Sequence, residues 1–315
     1  MSSVITNSSA MNALSTLRNI NKNLESTQNR ISTGLKVNDA KDNASYFQIS
    51  ETMKGDSSAY SSINEGLTLT KNSVATASLG AESIGELAQQ FLDKVSFAQG
   101  AKGGQAEVEN DLKELVKQME TTLSQSTFNG DDMLGASSYG GTDITADTIV
   151  AATGAWTAAG ATNADATVAV NRNVVTGITR AGGTYDTTEI IVGTHDMASL
   201  VTNFKAISNG FAAAADTAAT GEAFLSGVLA TTEGVVSKVT DIATKLGQSE
   251  KSIENQQDFL TQVVSNIDSG VGAMIDADME EEAARLQALQ VQQQLATQSL
   301  SIANSAPQNI LSLFR

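Results

Sequence analysis

Side chains at both ends of this 315-residue chain recur at alternating steps of three and four, and that spacing constrains its fold more than any other feature. Near the start the series is Leu14, Leu17, Asn21, Leu24, Gln28, Ile31 and Leu35; near the end it is Met279, Glu282, Leu286, Leu289, Gln293, Ala296, Leu300 and Ala303. Residues three and four apart share one face of a helix, and a largely apolar face repeated in this way is the seam of a coiled coil. A seam cannot be left in water. The nearest partner for each end is the other end, and after that a second copy of the chain.

Two further helical runs lie inside these ends. Tyr60, Ile63, Leu67, Thr70, Val74, Ala77, Ala81, Ile84, Ala88, Phe91 and Val95 form one stripe, predicting a helix roughly 55 Å long at 1.5 Å per residue. After Gly100, Gly103 and Gly104 a shorter stripe follows, Val108, Leu112, Leu115, Met119 and Leu123, and the short glycine loop predicts an antiparallel pair. From Val228 through Val239, Leu246, Ile253 and Leu260 to Ile267 the same period returns, with Gly270 and Gly272 expected to end that helix. Residues 35–56 are rich in Asn and Asp and read as a connector with a short helix around Ile49. Between Ala136 and about Leu200 the chain turns to Thr, Ala and Gly, with β-leaning pieces at Thr148–Val150, Thr167–Val170, Val174–Ile178 and Glu189–Val192. The fold class that follows is mainly α: a long antiparallel bundle or coiled coil formed by the N- and C-terminal segments, with a small β-rich insert in the middle. Its expected parts are residues 1–40 with 272–315, residues 41–140 with 205–271, and residues 141–204.

Composition narrows the function classes. Only 4% of residues are aromatic against 41% hydrophobic, so the helix interfaces are thin and filled by Ala, Leu, Val and Ile. There is no cysteine to staple or ligate and a single proline, Pro307. A net charge of −16 opposes broad attraction to nucleic acid or to anionic lipid. No apolar run is long enough to span a membrane, and none reads as a cleaved leader. The default compartment is then the cytoplasm.

Four segments change that reading. Leu24 to Asn38 reads LESTQNRISTGLKVN, Asp39 to Ala44 continues it, Ser126 to Gly130 reads STFNG, and the end runs from Arg285 to SIANSAPQNILSLFR. Together they resemble bacterial flagellin: a leucine-seamed helix, R-I-S-[ST]-G, a connector, the T-x-F-N-G turn and A-P-Q-x-[IV]-L-S-L. The resemblance covers about the first 135 and last 90 residues and leaves the insert unmatched. It implies a structural subunit of the flagellar filament, whose terminal helices line an inner tube, whose central helices form an outer tube and whose insert faces outward. It further implies export in an unfolded state without a cleaved signal, extracellular localisation, and contact with sister flagellins, an export chaperone, and cap and hook-junction proteins. The alternative of the same terminal architecture is a hook–filament junction protein.

The assembly residues expected from the seams, the apolar positions off them and the tail are Ile5, Leu14, Leu17, Ile20, Leu24, Ile31, Leu286, Leu289, Leu295, Leu300, Ile302, Ile310, Leu311, Leu313 and Phe314. Ile5, Ile20, Val291, Leu295 and Ile302 are expected off the seam, left for neighbouring copies, with the ends ordering only as copies stack. By resemblance, Ser83, Gly85, Glu86 and Leu87 stand where Toll-like-receptor-sensed flagellins carry R-x-R-E-L; Glu86 and Leu87 are kept and both arginines are missing. Asn21, Gln28 and Gln293 read equally well as register-setting polar pairs or as tolerated groups in a wet groove.

No enzyme is expected. The single His195 has no second His and no Cys beside it, and reads as a solvated loop residue. Glu280–Glu282 read as a solvated acidic helix start favoured by the helix dipole, opened by Asp278 as a capping residue. Gly100–Gly104 lacks the phosphate-loop pattern. No cofactor or metal is predicted.

Overall fold

The computed structural model describes residues 7–101, 103–135, 148–150, 156–157, 170–179 and 186–313. The helices are α1 (Ser8–Thr33), α2 (Ala44–Gly100), α3 (Gln105–Gln125), α4 (Met197–Ser208), α5 (Phe211–Ala215), α6 (Gly221–Ile275) and α7 (Met279–Leu313). Three antiparallel strand pairs lie between α3 and α4: β1 (Thr127–Phe128) with β2 (Asp131–Asp132), β3 (Thr148–Ile149) with β4 (Trp156–Thr157), and β5 (Val170–Thr179) with β6 (Asp186–Thr194). The chain divides into two compact units, residues 1–58 with 263–315, and residues 59–262. Helices α2 and α6 supply residues to both.

In the unit of residues 59–262, α2 and α6 run antiparallel. Lys71 meets Glu254 at 3.6 Å, the Gln257 amide donates to the Thr68 hydroxyl at 2.8 Å, and the Asn64 amide reaches the Thr261 hydroxyl at 3.3 Å. The predicted stripe is the buried face of α2: Leu67, Val74, Ala77, Ala81, Ile84, Ala88, Phe91 and Val95 are all sealed from solvent. Val228, Val239, Ile242, Leu246 and Ile253 of α6 share its core. Antiparallel α3 closes against α2, with Lys94 to Asp111 at 2.6 Å near the glycine loop and Gly80 beside Ser126 at the far end. That approach leaves no room at Gly80, where a Cβ would fall 2.0 Å from the Ser126 hydroxyl.

The T-F-N-G segment forms a two-residue hairpin turn. Asn129 and Gly130 have φ of 51° and 79°, the left-handed pair that Asn-Gly adopts at least cost. It leads into Asp131, whose carboxylate accepts from the Ser73 hydroxyl at 2.5 Å and from the Arg172 guanidinium. Burial raises the Asp131 carboxyl, but these two hydrogen bonds and the Arg172 charge outweigh it and hold the group below its ordinary range. The β5–β6 hairpin is thereby tied to α2 at one point. Tyr60 of α2 donates to the Ile178 carbonyl at 2.8 Å and Gln256 of α6 to the Thr176 carbonyl at 3.0 Å, so the hairpin is held by both long helices. Val174–Ile178 and Glu189–Val192 thus fall within real strands, and Thr148–Val150 contains β3. Thr167 to Ala169 lie outside the described residues.

In the unit of residues 1–58 and 263–315, the two inter-helix connectors pair as backbone. Lys36 and Val37 N–H groups donate to the Ile275 carbonyl, and Ala277 N–H donates to that of Gly34. Val37, Val271 and Ile275 make a small core there, flanked by Phe47, Met53 and Ile267.

Three expectations are corrected. The connector of residues 35–56 is helical from Ala44 onward, because the Asn43 side chain caps the N–H groups of Ser45 and Tyr46 and starts α2 sixteen residues ahead of the first stripe residue at Tyr60. Gly270 and Gly272 do not end α6, which continues to Ile275. A helical glycine costs about 1 kcal/mol, which burial of Val271 and Ile275 outweighs. Finally, Met197 to Leu200, placed in the Thr/Ala/Gly stretch, open a buried helix capped by Asp196.

Candidate assembly surface

Helix α1 is delimited at both ends by its own sequence. The Asn7 side chain accepts from Ala10 N–H at 3.0 Å, and Gly34, at φ 72°, closes the last turn by donating to the Arg30 carbonyl at 2.8 Å. Helix α7 starts at Asp278, whose carboxylate accepts from the N–H groups of Glu280 and Glu281. The two helices lie antiparallel. Asn7 donates to the Ala303 carbonyl at 2.8 Å, Gln293 to the Asn21 side-chain oxygen at 2.8 Å, and Arg30 to Glu282 at 3.1 Å. Asn21 and Gln293 are therefore partners, whereas Gln28 is exposed.

The packed face of α7 follows the predicted register from Glu282 through Leu286, Leu289, Gln293, Ala296 and Leu300 to Ala303; Met279 is exposed. On α1 the packed face is rotated by one position. Ala13, Leu17, Ile20, Leu24, Thr27 and Ile31 face the partner, with Thr27 buried, while Leu14 is exposed. The steps through Leu17, Leu24 and Ile31 are common to both registers, and turning Ile20 and Thr27 inward moves Asn21 and Gln28 to the wetter edge. Ile20 thus belongs to the seam and not, as its spacing suggested, outside it.

Glu282 is a second correction. It is 5% exposed, not solvated, and one carboxylate oxygen accepts from both Arg30 and Arg285 while the other is buried without a hydrogen bond. Consecutive helical residues point in different directions, and of the three glutamates only Glu282 occupies a seam position. Its place in the three–four series was the signal available.

The seam is thin. Among the described residues of α1 and α7, only Thr27, Glu282 and Leu289 are buried, and the other packed positions are half-exposed. Away from it, Val291, Leu295 and Ile302 are 55%, 59% and 64% exposed. At about 100° per residue these three fall within about 40° of one another and roughly 150° around α7 from the seam. Helix α7 therefore carries two apolar faces, and α1 covers one of them. The outer face of α1 differs, since exposed Met11 is followed there by Arg18 and Lys22. Ile5 and Phe314 lie outside the described residues; Ile310, Leu311 and Leu313 fall on the last turns of α7, their side chains outside them.

In the unit of residues 59–262, Ser83 and Leu87 of α2 line an open groove with Glu114, Lys117, Gln118, Thr121 and Thr122 of α3. Glu86 is exposed, whereas position 85 leans towards α6, where an added Cβ would lie 3.6 Å from Val239.

His195 departs from its expected place. It is buried, with its backbone N–H donating to the Met133 carbonyl at 2.9 Å and its ring Nδ1 without a hydrogen bond. Burial, assisted by the positive charge of Lys245, lowers its pKa to about 4. The cause is non-local: the Met133–Leu134 segment and α4 fold over it, and no periodicity in the sequence records that. Among the described residues, no group of three or more His, Cys, Asp or Glu is placed to hold a metal ion, and no helix is long and apolar enough to cross a membrane.

Comparison with known proteins accounts for this arrangement. Residues 4–138 match the bacterial flagellin N-terminal helical region, and residues 229–314 match the bacterial flagellin C-terminal helical region. A flagellin of Brucella melitensis is 37% identical over 317 residues, with both chains covered completely. The chain belongs to the bacterial flagellin family. Flagellin C of Rhizobium meliloti is 35% identical over 342 residues, again at full coverage of both. Among solved structures, a putative flagellar hook-associated protein from Vibrio parahaemolyticus shares the fold, with a TM-score of 0.51 and 14% identity over 75% of this chain and all of that one. This flagellin is a structural subunit of the extracellular flagellar filament. The two matched regions contain α1, α2, α3 and α7 in full and most of α6.

Proposed function

We propose that this flagellin polymerises through the uncovered face of α7, and that its ends order fully only as copies stack. The supporting observation is the stripe Val291, Leu295 and Ile302 opposite the seam. Burying a side chain of that size contributes about 1.5–3 kcal/mol, and isolated helices are marginal in water, so a face of this kind gains most when a neighbouring copy covers it. Ile5, Ile310, Leu311, Leu313 and Phe314 extend the same contact under this reading, and Leu17, Ile20, Leu24, Ile31, Leu286, Leu289 and Leu300 hold the pair that presents it, with exposed Leu14 left for a neighbouring copy.

The subunit is exported unfolded through the flagellar secretion channel, a route suited to a chain with no cysteine and one proline. A chaperone, cap and hook-junction proteins are its transient partners, and the protein has no catalytic role. Relatives of full length named flagellin favour the filament subunit over a hook–filament junction protein. Copy number separates these, since a junction protein is far scarcer than a filament subunit. The assembly reading is tested by sedimentation and electron microscopy of the whole chain beside a chain lacking both α1 and α7. Filaments from the whole chain alone support it, and tubes from the shortened chain overturn it.

The α2 surface bearing Ser83, Glu86 and Leu87 is a weak receptor ligand, because an arginine fork at 83 and 85 cannot be replaced by Ser and Gly. A reporter-cell response equal to that of an arginine-bearing flagellin would refute this.

A further inference from the structure

The chain contains two Asn-Gly dipeptides, Asn129-Gly130 and Asn209-Gly210, and the fold treats them differently. An Asn followed by Gly carries a built-in reaction. The backbone nitrogen of the glycine, shielded by no side chain, attacks the asparagine Cγ; a C–N bond forms, the Cγ–NH2 bond breaks, and ammonia leaves with the proton of the glycine nitrogen. The five-membered imide then takes up water at either carbonyl and opens to aspartate or to isoaspartate. No co-reactant other than water is needed. The rate depends on how freely the glycine nitrogen can reach the side chain.

Asn209 and Gly210 are exposed, but the turn they form is pinned. The Glu109 carboxylate accepts from the Ala212 N–H at 2.8 Å, two residues past the glycine, while a hydrogen bond from Lys113 at 2.5 Å, with that Ala212 bond, holds Glu109 below its ordinary range. A charge-assisted hydrogen bond of this kind is roughly twice as strong as a neutral one, and opening the turn must break it. Asn209 also sits directly after α4 as its C-cap, donating its own N–H to the Lys205 carbonyl.

At Asn129-Gly130 both residues are exposed at the tip of the turn, and the strands on either side are two residues each, with Thr127 opposite Asp132 and Phe128 opposite Asp131. Asn129 is the only non-glycine residue with positive φ among those described. The turn needs left-handed backbone at both positions, which Asn-Gly supplies and which makes the dipeptide hard to replace. A ladder this short opens locally far more often than the flanking helices do.

We propose that Asn129 is a site of spontaneous covalent modification, converting to aspartate and isoaspartate while Asn209 is protected. The product acts on the fold through its neighbours. It adds a negative charge two residues from Asp131 and, in the isoaspartate form, one extra main-chain carbon within a two-residue turn. Asp131 is the group that joins Ser73 of α2 to Arg172 of β5. Displacing it frees the β5–β6 hairpin at that attachment, so modified chains are marked by a looser hairpin.

The full-length protein is incubated at neutral pH, alongside a free peptide spanning residues 124–134. Both are sampled over time by peptide mass spectrometry, for the exchange of amide for acid, and by isoaspartyl methyltransferase labelling. Conversion at Asn129 ahead of Asn209, with label lost in Asn129→Gln, is the expected result. Conversion at Asn209 first, equal conversion at both, or none at Asn129 by the time the free peptide has turned over would overturn the proposal.

Discussion

Replacing Leu295 and Ile302 together by Ala isolates the uncovered face of α7 from everything else the helix does. Both side chains are about 60% exposed in the single chain, and both lie across the helix from the residues that touch α1. If a neighbouring copy buries the remaining area, each contributes about 1–2 kcal/mol to polymerisation, and truncation to Ala removes most of it. The pair then costs roughly 2–3 kcal/mol per subunit, which raises the critical concentration for polymer about thirty- to a hundredfold, since each 1.4 kcal/mol is tenfold. The Asp pair, which adds two charges to the same buried contact, abolishes filaments at any accessible concentration. Monomer helicity and melting are unchanged for the Ala pair, because the seam is untouched. Sedimentation of polymer from monomer across a concentration series reads the critical value directly. An Ala pair that polymerises at the wild-type concentration would refute the assignment of this face, whatever its effect on melting.

Further expectations follow from other parts of the molecule. Because His195 has a folded pKa of about 4 against an ordinary 6.5, the unfolded chain binds more protons between those values. Stability is therefore intact above about pH 6.5 and falls as the pH drops towards 4, by at most about 3 kcal/mol; urea titrations at both ends of that window should differ, and His195→Gln should narrow the difference. Gly80→Ala drives a Cβ into Ser126 and should destabilise by about 1–3 kcal/mol, whereas Gly247→Ala, which meets nothing within 4 Å, should be neutral or stabilising by up to about 1 kcal/mol in thermal melts. Glu282→Ala leaves Arg30 and Arg285 without their shared carboxylate and should cost about 1–3 kcal/mol of α1–α7 pairing, while a double replacement of Arg30 and Glu282 by Met should cost less, as a double-mutant cycle would show. Asp131→Ala should speed amide exchange in β5 and β6 more than in α3, since it cuts the tie between Ser73 and Arg172.

What the sequence determined by itself was whatever repeats along a single helix. The stripe from Tyr60 to Val95, that from Val108 to Leu123 and the series from Glu282 to Ala303 are buried or half-buried in the register in which they were read, because side chains three and four apart share a face in any helix. The T-F-N-G turn was legible too, since few residue pairs tolerate two left-handed positions in succession. Tertiary structure decided the rest. It chose between two registers of α1 that the spacing of Leu17, Leu24 and Ile31 fits equally, turning Ile20 inward. It carried α6 through Gly270 and Gly272, where packing of Val271 and Ile275 outweighs a local preference. It buried His195 and Glu282, whose surroundings come from residues more than sixty and two hundred and fifty positions away. Periodicity fixes which face of a helix is apolar; which of its neighbours covers that face is a property of the folded chain, and for Val291, Leu295 and Ile302 on the outer face of α7 none of the described residues of one copy does so.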